Sequence, residues 1–327
     1  MLCALFVVCF AGSIMLGRYF VDPGSLVKIL LSPFFKIERT WDAAAETVVL
    51  VNRLPRIAAA ALIGAALPVA GASFQGMFRN PMVSPDILGA SSGAGFGAAL
   101  GILMGFSYFF VSALSFVLGL AAVFIAYALS RASRINSTLS MVLAGMMASS
   151  VFTSATSLIK LVADTDEVLP AITYWLMGSI SSIRQNDLLF LAVPVVLGLC
   201  VIMLLSWRMN LLTLSDEEAA SMGVNVTLLR TIIVLCATLM TAASVAVSGL
   251  IGWVGLVIPH FARLIYGYDY RRLIPASAVL GATFLIVVDD VARLISTREI
   301  PIGIITSFIG APVFVWLILT GGARRDN

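Results

Sequence analysis

Runs of about twenty apolar residues recur along almost the whole chain, and they constrain the fold more than any single motif does. A helix rising 1.5 Å per residue needs about 20 such residues to cross a hydrocarbon core about 30 Å thick. The runs fall near residues 1–20, 57–76, 87–105, 109–129, 139–162, 188–207, 231–250, 252–266, 274–295 and 302–320. They predict an all-α polytopic membrane protein of about ten transmembrane helices, one domain over residues 1–327. The 252–266 run is short and marked by Gly and Pro. A further apolar piece, Ala171–Ile180, is too brief to cross and is expected to lie at the surface or to re-enter. The first run has no basic flank before it and no small-residue cleavage site after it, so it is expected to span.

Composition agrees. Hydrophobic residues make up 60% of the chain and charged residues 11%, against about 25% charged in an ordinary soluble domain. The mean hydropathy is +1.05. Lipid as solvent lets such a surface face outward. The net charge of +3 is spread through short loops and not gathered on one face, so nucleic acid is not an expected partner. Cys3, Cys9, Cys200 and Cys236 sit singly inside apolar runs, and His260 is the one histidine. That set matches neither zinc-site spacing nor a catalytic histidine constellation, so no metal and no catalytic residue is assigned.

Basic residues in the loops bear on orientation. With both termini inside, the inner set is Arg79, Arg131, Arg134, Arg208, Arg230, Arg263, Arg271, Arg272, Arg324 and Arg325. The outer set is Arg18, Lys28, Lys36, Arg39, Arg53, Arg56, Lys160, Arg184, Arg293 and Arg298. The sets tie at ten each, but six of the outer ten lie in or beside one long loop, residues 21–56. Without that loop the count is ten against four, which favours cytoplasmic termini.

An energy source is not visible in the chain. A P-loop needs Gly-Lys-[Ser/Thr], and the only lysines, Lys28, Lys36 and Lys160, follow Val, Phe and Ile. Coupled carriers commonly hold ionisable groups at mid-membrane depth. Here Asp289, Asp290 and Lys160 fall near predicted helix ends. The expectation is a non-enzymatic subunit driven by another chain, with a stand-alone secondary transporter or channel as the alternative.

Four segments carry candidate roles. In Ser215-Asp216-Glu217-Glu218-Ala219-Ala220-Ser221-Met222-Gly223, the Ser215/Glu218 spacing is a capping box. Three acidic residues then complement the helix dipole, and Gly223 can close the helix. Either a solvated connector or a contact helix fits. Ala219 and Ala220 are expected to face water when no partner is bound. Arg53-Leu54-Pro55-Arg56, placed just before the second run on the outer side, suits interfacial anchoring or the docking of a partner's carboxylates. Arg79-Asn80-Pro81-Met82-Val83-Ser84-Pro85 breaks the helix as a gate or as a plain turn. Met146, Ser149, Ser150, Thr153 and Ser154 lie in a small-residue stretch that suits close helix packing or a pore lining.

At these residues the chain resembles the permease family of type II ABC importers, which take up ferric siderophores, haem and vitamin B12. The resemblance is carried by Arg53–Arg56, Gly71–Gly76 running into Asn80-Pro81, Leu88–Ala94, Leu143–Gly145 and Tyr174–Ser179. Gly252–Arg263, Asp290–Arg293, Pro301–Gly303 and Gly310–Phe314 extend it through the second half in the same order. It implies the type II permease fold, with ten helices per subunit and two permease subunits, expected as a homodimer, around a central path in the inner membrane of a prokaryotic cell. Two cytoplasmic ATPase subunits would bind ATP and Mg, this chain holding no cofactor, and a periplasmic or lipid-anchored binding protein would dock above. Arg53, Arg56 and Arg293 match positions that meet the binding protein. Asn80, Met82, Ser137 and Thr138 match the cytoplasmic gate, and Asp216–Gly223 matches the ATPase coupling helix. The family more often has Gly at Ser215 and Leu at Met222 and Met82. Asp289 and Asp290, four and three residues before Arg293, are placed to hold that arginine from its own helix. Ferric siderophore is the expected cargo, with haem, a corrinoid or molybdate as alternatives.

Overall fold

The computed structural model describes residues 1–33, 35–133, 137–296 and 299–322. Its order is α1 (Leu2–Met15), α2 (Pro23–Leu31), α3 (Ala43–Met77), α4 (Ala90–Leu103), α5 (Tyr108–Ala132), α6 (Ser137–Val162) and α7 (Val168–Leu176). Then come α8 (Gln185–Met209), α9 (Asp216–Ser221), α10 (Val226–Ser248), α11 (Val254–Tyr266), α12 (Tyr270–Leu294) and α13 (Ile302–Gly322). The described residues form no strand. Six helices, α3, α5, α6, α8, α10 and α12, are long and apolar enough to cross a membrane. The other four apolar runs form α1, α4, α11 and α13, which are shorter. The brief Ala171–Ile180 piece contributes to α7, a helix of 9 residues. Arg134, Arg298, Arg324 and Arg325, part of the orientation count, lie outside the described residues.

The segment 21–56 is not one loop. Asp22 caps α2, accepting from Ser25 N–H at 3.0 Å, with Pro23 in the first turn where its missing N–H costs nothing. The second span begins at Ala43 and not near residue 57, so Arg53–Arg56 lies inside it. Three alanines and Glu46 are strong helix formers, which is why the helix starts early. The helix widens to a π segment over Thr47–Arg53, immediately before Pro55, which lacks the N–H that a regular α-turn would use. Asn52, Arg53 and Arg56 interrupt the hydropathy pattern but not the helix.

α3 is the central element, with 78% of its apolar window buried inside the subunit. It packs on α12, α11, α10 and α8. Between lipid-immersed helices there is no hydrophobic driving force, so close backbone approach matters more than side-chain size. A Cβ added at Gly64 would stand 2.4 Å from the Gly281 carbonyl oxygen of α12, and one at Gly281 would stand 2.0 Å from that of Gly64. Two turns further along, a Cβ on Gly71 would come within 1.8 Å of the Gly255 oxygen of α11. α6 and α8, by contrast, have only 28% and 22% of their apolar windows buried.

Gly281→Val should therefore lower the thermal stability of the purified protein by at least the ~1–3 kcal/mol typical of overpacking, because the obstacle is backbone. Gly252→Ala, where an added Cβ meets nothing within 4 Å, should stay within about 0.5 kcal/mol of wild type. Equal melting temperatures for both variants would contradict this packing.

Candidate functional site

At one end of the bundle three arginines are buried together. Arg56 of α3 donates Nε to both Asp289 oxygens, at 2.9 and 3.1 Å, and Nη1 to both Glu299 oxygens, at 3.0 and 2.8 Å. Arg293 donates to Ser13 Oγ at 2.8 Å and pairs with Asp290, while its Nε lies 3.3 Å from Asp289. Arg53 donates to the carbonyls of Ile14 at 2.9 Å and Tyr19 at 2.5 Å. Exposure is only 4%, 8% and 8% for Arg53, Arg56 and Arg293. The picture of an outer arginine pair standing at the lip of a helix is thereby corrected: these guanidiniums fasten α1, α3 and α12 together. Asp289 and Asp290 do hold Arg293 from its own helix, as their spacing suggests. Glu299 carries no sequence signal of its own, since its arginine partner is 243 residues away. With Arg18 and Asn52, the three arginines line a cavity of about 380 Å³.

A second constellation forms on α6. Met146, Ser149, Ser150, Thr153 and Ser154 recur at the spacing of one helix face, and all five line a cavity of about 480 Å³. The intervening Ala144, Gly145 and Ala148 are buried, Gly145 so closely that a Cβ there would meet the Ile87 carbonyl at 2.2 Å. Close packing thus holds for the Ala144, Gly145 and Ala148 face, while the Met146 to Ser154 face lines the cavity. The opposite wall is the turn after α3, with Ser84, Asp86 and Ile87. Asp86, whose carboxylate accepts from the Ser91 hydroxyl, escapes sequence analysis because only the docking of α6 places that turn on the cavity.

The turn is tightly held. Asn80 Oδ1 accepts from Met82 N–H at 2.9 Å, and Gln75 Nε2 donates to the Val83 carbonyl at 3.2 Å. Met82 is 50% exposed. Thr138 stands elsewhere, on a cavity of about 260 Å³ shared with Met77, Phe78 and Arg230. Ser137 opens α6, and its side chain lies outside the described part.

The 215–223 segment folds as its capping pattern demands. Glu218 N–H donates to Ser215 Oγ at 3.2 Å, and Ser215 N–H to Glu218 Oε2 at 2.9 Å. Gly223 closes the segment at φ +80°. Asp216 faces Arg79 at 2.9 Å and Arg230 at 2.8 Å. Partial burial alone would raise the Asp216 carboxyl, but Arg230 and Arg79 outweigh it and hold it below the usual aspartate range. The pairing is complete at neutral pH and is lost only as pH falls through that lowered value. One expectation fails. Ala219 is 1% exposed, because a short helix lying on its own subunit must turn one face inward. Glu217, Ala220 and Met222 face outward.

The FecCD transport family pattern matches residues 5–320. The molybdate import system permease protein MolB of Haemophilus influenzae is 38% identical over 98% of this chain and 96% of its own length. A probable iron chelatin transport system permease protein of Helicobacter pylori is 41% identical over 83% of this chain and 82% of its own. A solved metal-chelate type ABC transporter in an inward-facing conformation superposes with a TM-score of 0.88 at 37% identity, covering 98% of this chain and 97% of the other.

The buried ion cluster allows a direct check. Asp289→Ala leaves Arg56 and Arg293 short of a carboxylate in a buried place and should destabilise the protein by about 3–5 kcal/mol. Adding Arg56→Met and Glu299→Gln removes the charges left without partners and should recover most of the loss. A triple variant as unstable as the single one, by thermal unfolding in detergent, would show that the cluster does not act through charge.

Proposed function

Since this chain belongs to the FecCD transport family of ABC importer permeases, we propose that it forms the translocation path of an importer powered by separate ATPase subunits. The observation that carries this reading is the convergence of five α6 side chains, Met146 to Ser154, on one cavity beside a Pro-marked turn. Hydroxyls and thioethers give a passing solute weak, exchangeable contacts, whereas tight ligands would hold it. A path has to let go. The alternative of a transporter working alone leaves α9, with its outward Ala220 and Met222, without a purpose.

In this reading ten helices cross the inner membrane, the four shorter ones included, and two copies of the chain face one another across the path. The end bearing α9 is cytoplasmic, as are both termini. α9 is the ATPase contact, Ser215–Gly223, and ATP and Mg are bound by that partner. Asn80 and Met82, with Ser137 and Thr138, form the inner gate. The binding protein docks over the basic cavity at the opposite end. Among the described residues Arg53 bonds only carbonyl oxygens there, so its charge lacks a carboxylate of its own, whereas Arg56 and Arg293 are paired with Asp289, Asp290 and Glu299. The cargo is a metal chelate, ferric siderophore foremost, with haem, a corrinoid or molybdate as competitors. The iron chelatin relative supports the first and the molybdate relative the last.

Ala220→Arg puts a long charged side chain into the proposed contact at little cost to the helix, since arginine is a good helix former. The ATPase should fail to co-purify, or its hydrolysis should lose stimulation by the binding protein, while insertion is unchanged. Normal uptake together with normal stimulation would remove α9 from the ATPase interface. For orientation, Met222→Cys in a background lacking the four native cysteines should react with an impermeant thiol reagent in inverted vesicles and stay unlabelled in spheroplasts; the reverse pattern would invert the topology. Metal analysis of the purified binding protein then separates iron from molybdenum.

A further inference from the structure

Three charged side chains meet where the end of α3, the start of α9 and α10 come together. Asp216, the first residue of α9, accepts from Arg79 Nη2 at 2.9 Å. Arg230 of α10 takes both oxygens of the same carboxylate with its two Nη atoms, each at 2.8 Å. Arg79 also donates Nε to the Leu212 carbonyl at 2.8 Å, in the turn leading to α9. A two-pronged arginine–carboxylate contact fixes orientation as well as distance. Asp216 therefore has a defined place relative to α10 and relative to the end of α3.

The two arginines lead to different gate elements. Arg79 has φ 49°, and Trp253 is the other non-glycine residue at positive φ among those described. Such a backbone persists where its surroundings over-determine it; here the side chain is held by Asp216 and Leu212. The next residue is Asn80, whose side chain fixes Met82 N–H, so a pull on Arg79 reaches the turn at once. Arg230 lies on the wall of the 260 Å³ cavity that also holds Thr138, Met77 and Phe78.

We propose that Asp216 is a positioning residue that splits the movement of α9 into two arms, one through Arg79 to Asn80 and Met82, the other through Arg230 to the wall at Thr138. This rests on α9 being the ATPase contact. Apolar packing is non-directional, whereas a fork of ion pairs fixes orientation as well as distance. Cutting one arm silences one gate element and leaves the other responsive.

The test uses the complex with its co-purifying ATPase in inverted membrane vesicles, with Met82→Cys or Thr138→Cys as single reporters in a cysteine-free background. Thiol labelling is compared with and without MgATP. Arg79→Gln should reduce the ATP-dependent change at Met82→Cys about fivefold, the shift that one partly exposed ion pair supports, and leave that at Thr138→Cys intact. Arg230→Gln should do the opposite. Arg79→Lys, which keeps the charge, should restore much of the Met82→Cys response. An unchanged Met82→Cys response in Arg79→Gln overturns the proposal, and so does an equal loss at both reporters in either variant, which is what a purely structural trio would give. Retention of the ATPase by Ala220→Arg is a separate result and counts against the α9 assignment, not against the division of the two arms.

Discussion

Contact between the backbones of α3 and its neighbours is the feature on which the remainder of the subunit depends. In water a helix this apolar would be driven into a core by hydration alone. In lipid that force is missing, and association rests on dispersion and shape. Glycine facing glycine, at Gly64 with Gly281 and Gly71 with Gly255, brings the helices to a distance that no side chain permits. The seam has a positional consequence too. It runs along the same helix that carries Arg56 in its first half and has Arg79 just beyond its end, so both ionic clusters are set by how α3 lies on α11 and α12.

Charge is placed accordingly. A charged side chain in hydrocarbon is costly, and the chain collects its buried ion pairs at the two ends of the bundle. At one end α1, α3 and α12 are joined by Arg53, Arg56 and Arg293 with Asp289, Asp290 and Glu299. At the other, Asp216 joins Arg79 to Arg230, and Asn210 donates to Asp269 at 2.7 Å while accepting from Tyr270 N–H at 2.9 Å. The first group is buried and closed by its own carboxylates. The second is more exposed, with Asp216 half open to solvent. Exposed pairs are weak and rearrange readily. The end with the stronger cluster is suited to stay fixed, and the end with the weaker one to move.

Local rules made much of this legible. Apolar run length located the six helices long enough to cross a membrane, and four shorter apolar helices besides them. The capping box at Ser215 and Glu218 identified α9, since its logic closes within four residues. The face of α6 from Met146 to Ser154 followed from helical periodicity. The failures share a cause: each needed a partner distant in the chain. Hydropathy began the second span after Arg56, yet the helix starts at Ala43 and carries that arginine, which Asp289 and Glu299 neutralise from more than 200 residues away. Ala219 looked exposed because nothing in its six-residue helix records which side rests on the subunit. Asp86 acquired a place on the cavity only through the docking of α6.

The same argument applies to the surface that remains. α6 turns Met146, Ser150, Thr153 and Ser154 outward, all of them exposed in the single subunit. Helical hydroxyls partly satisfy themselves on their own backbone, as Ser157 does with the Thr153 carbonyl at 3.0 Å. Acyl chains can offer the others no acceptor. A face with this chemistry is at odds with lipid, whereas the outward leucines and valines of α8, such as Leu189, Val193, Leu197 and Leu204, suit it well. The two least buried long helices therefore face different surroundings. α8 presents an apolar surface, and α6 one that carries hydroxyls.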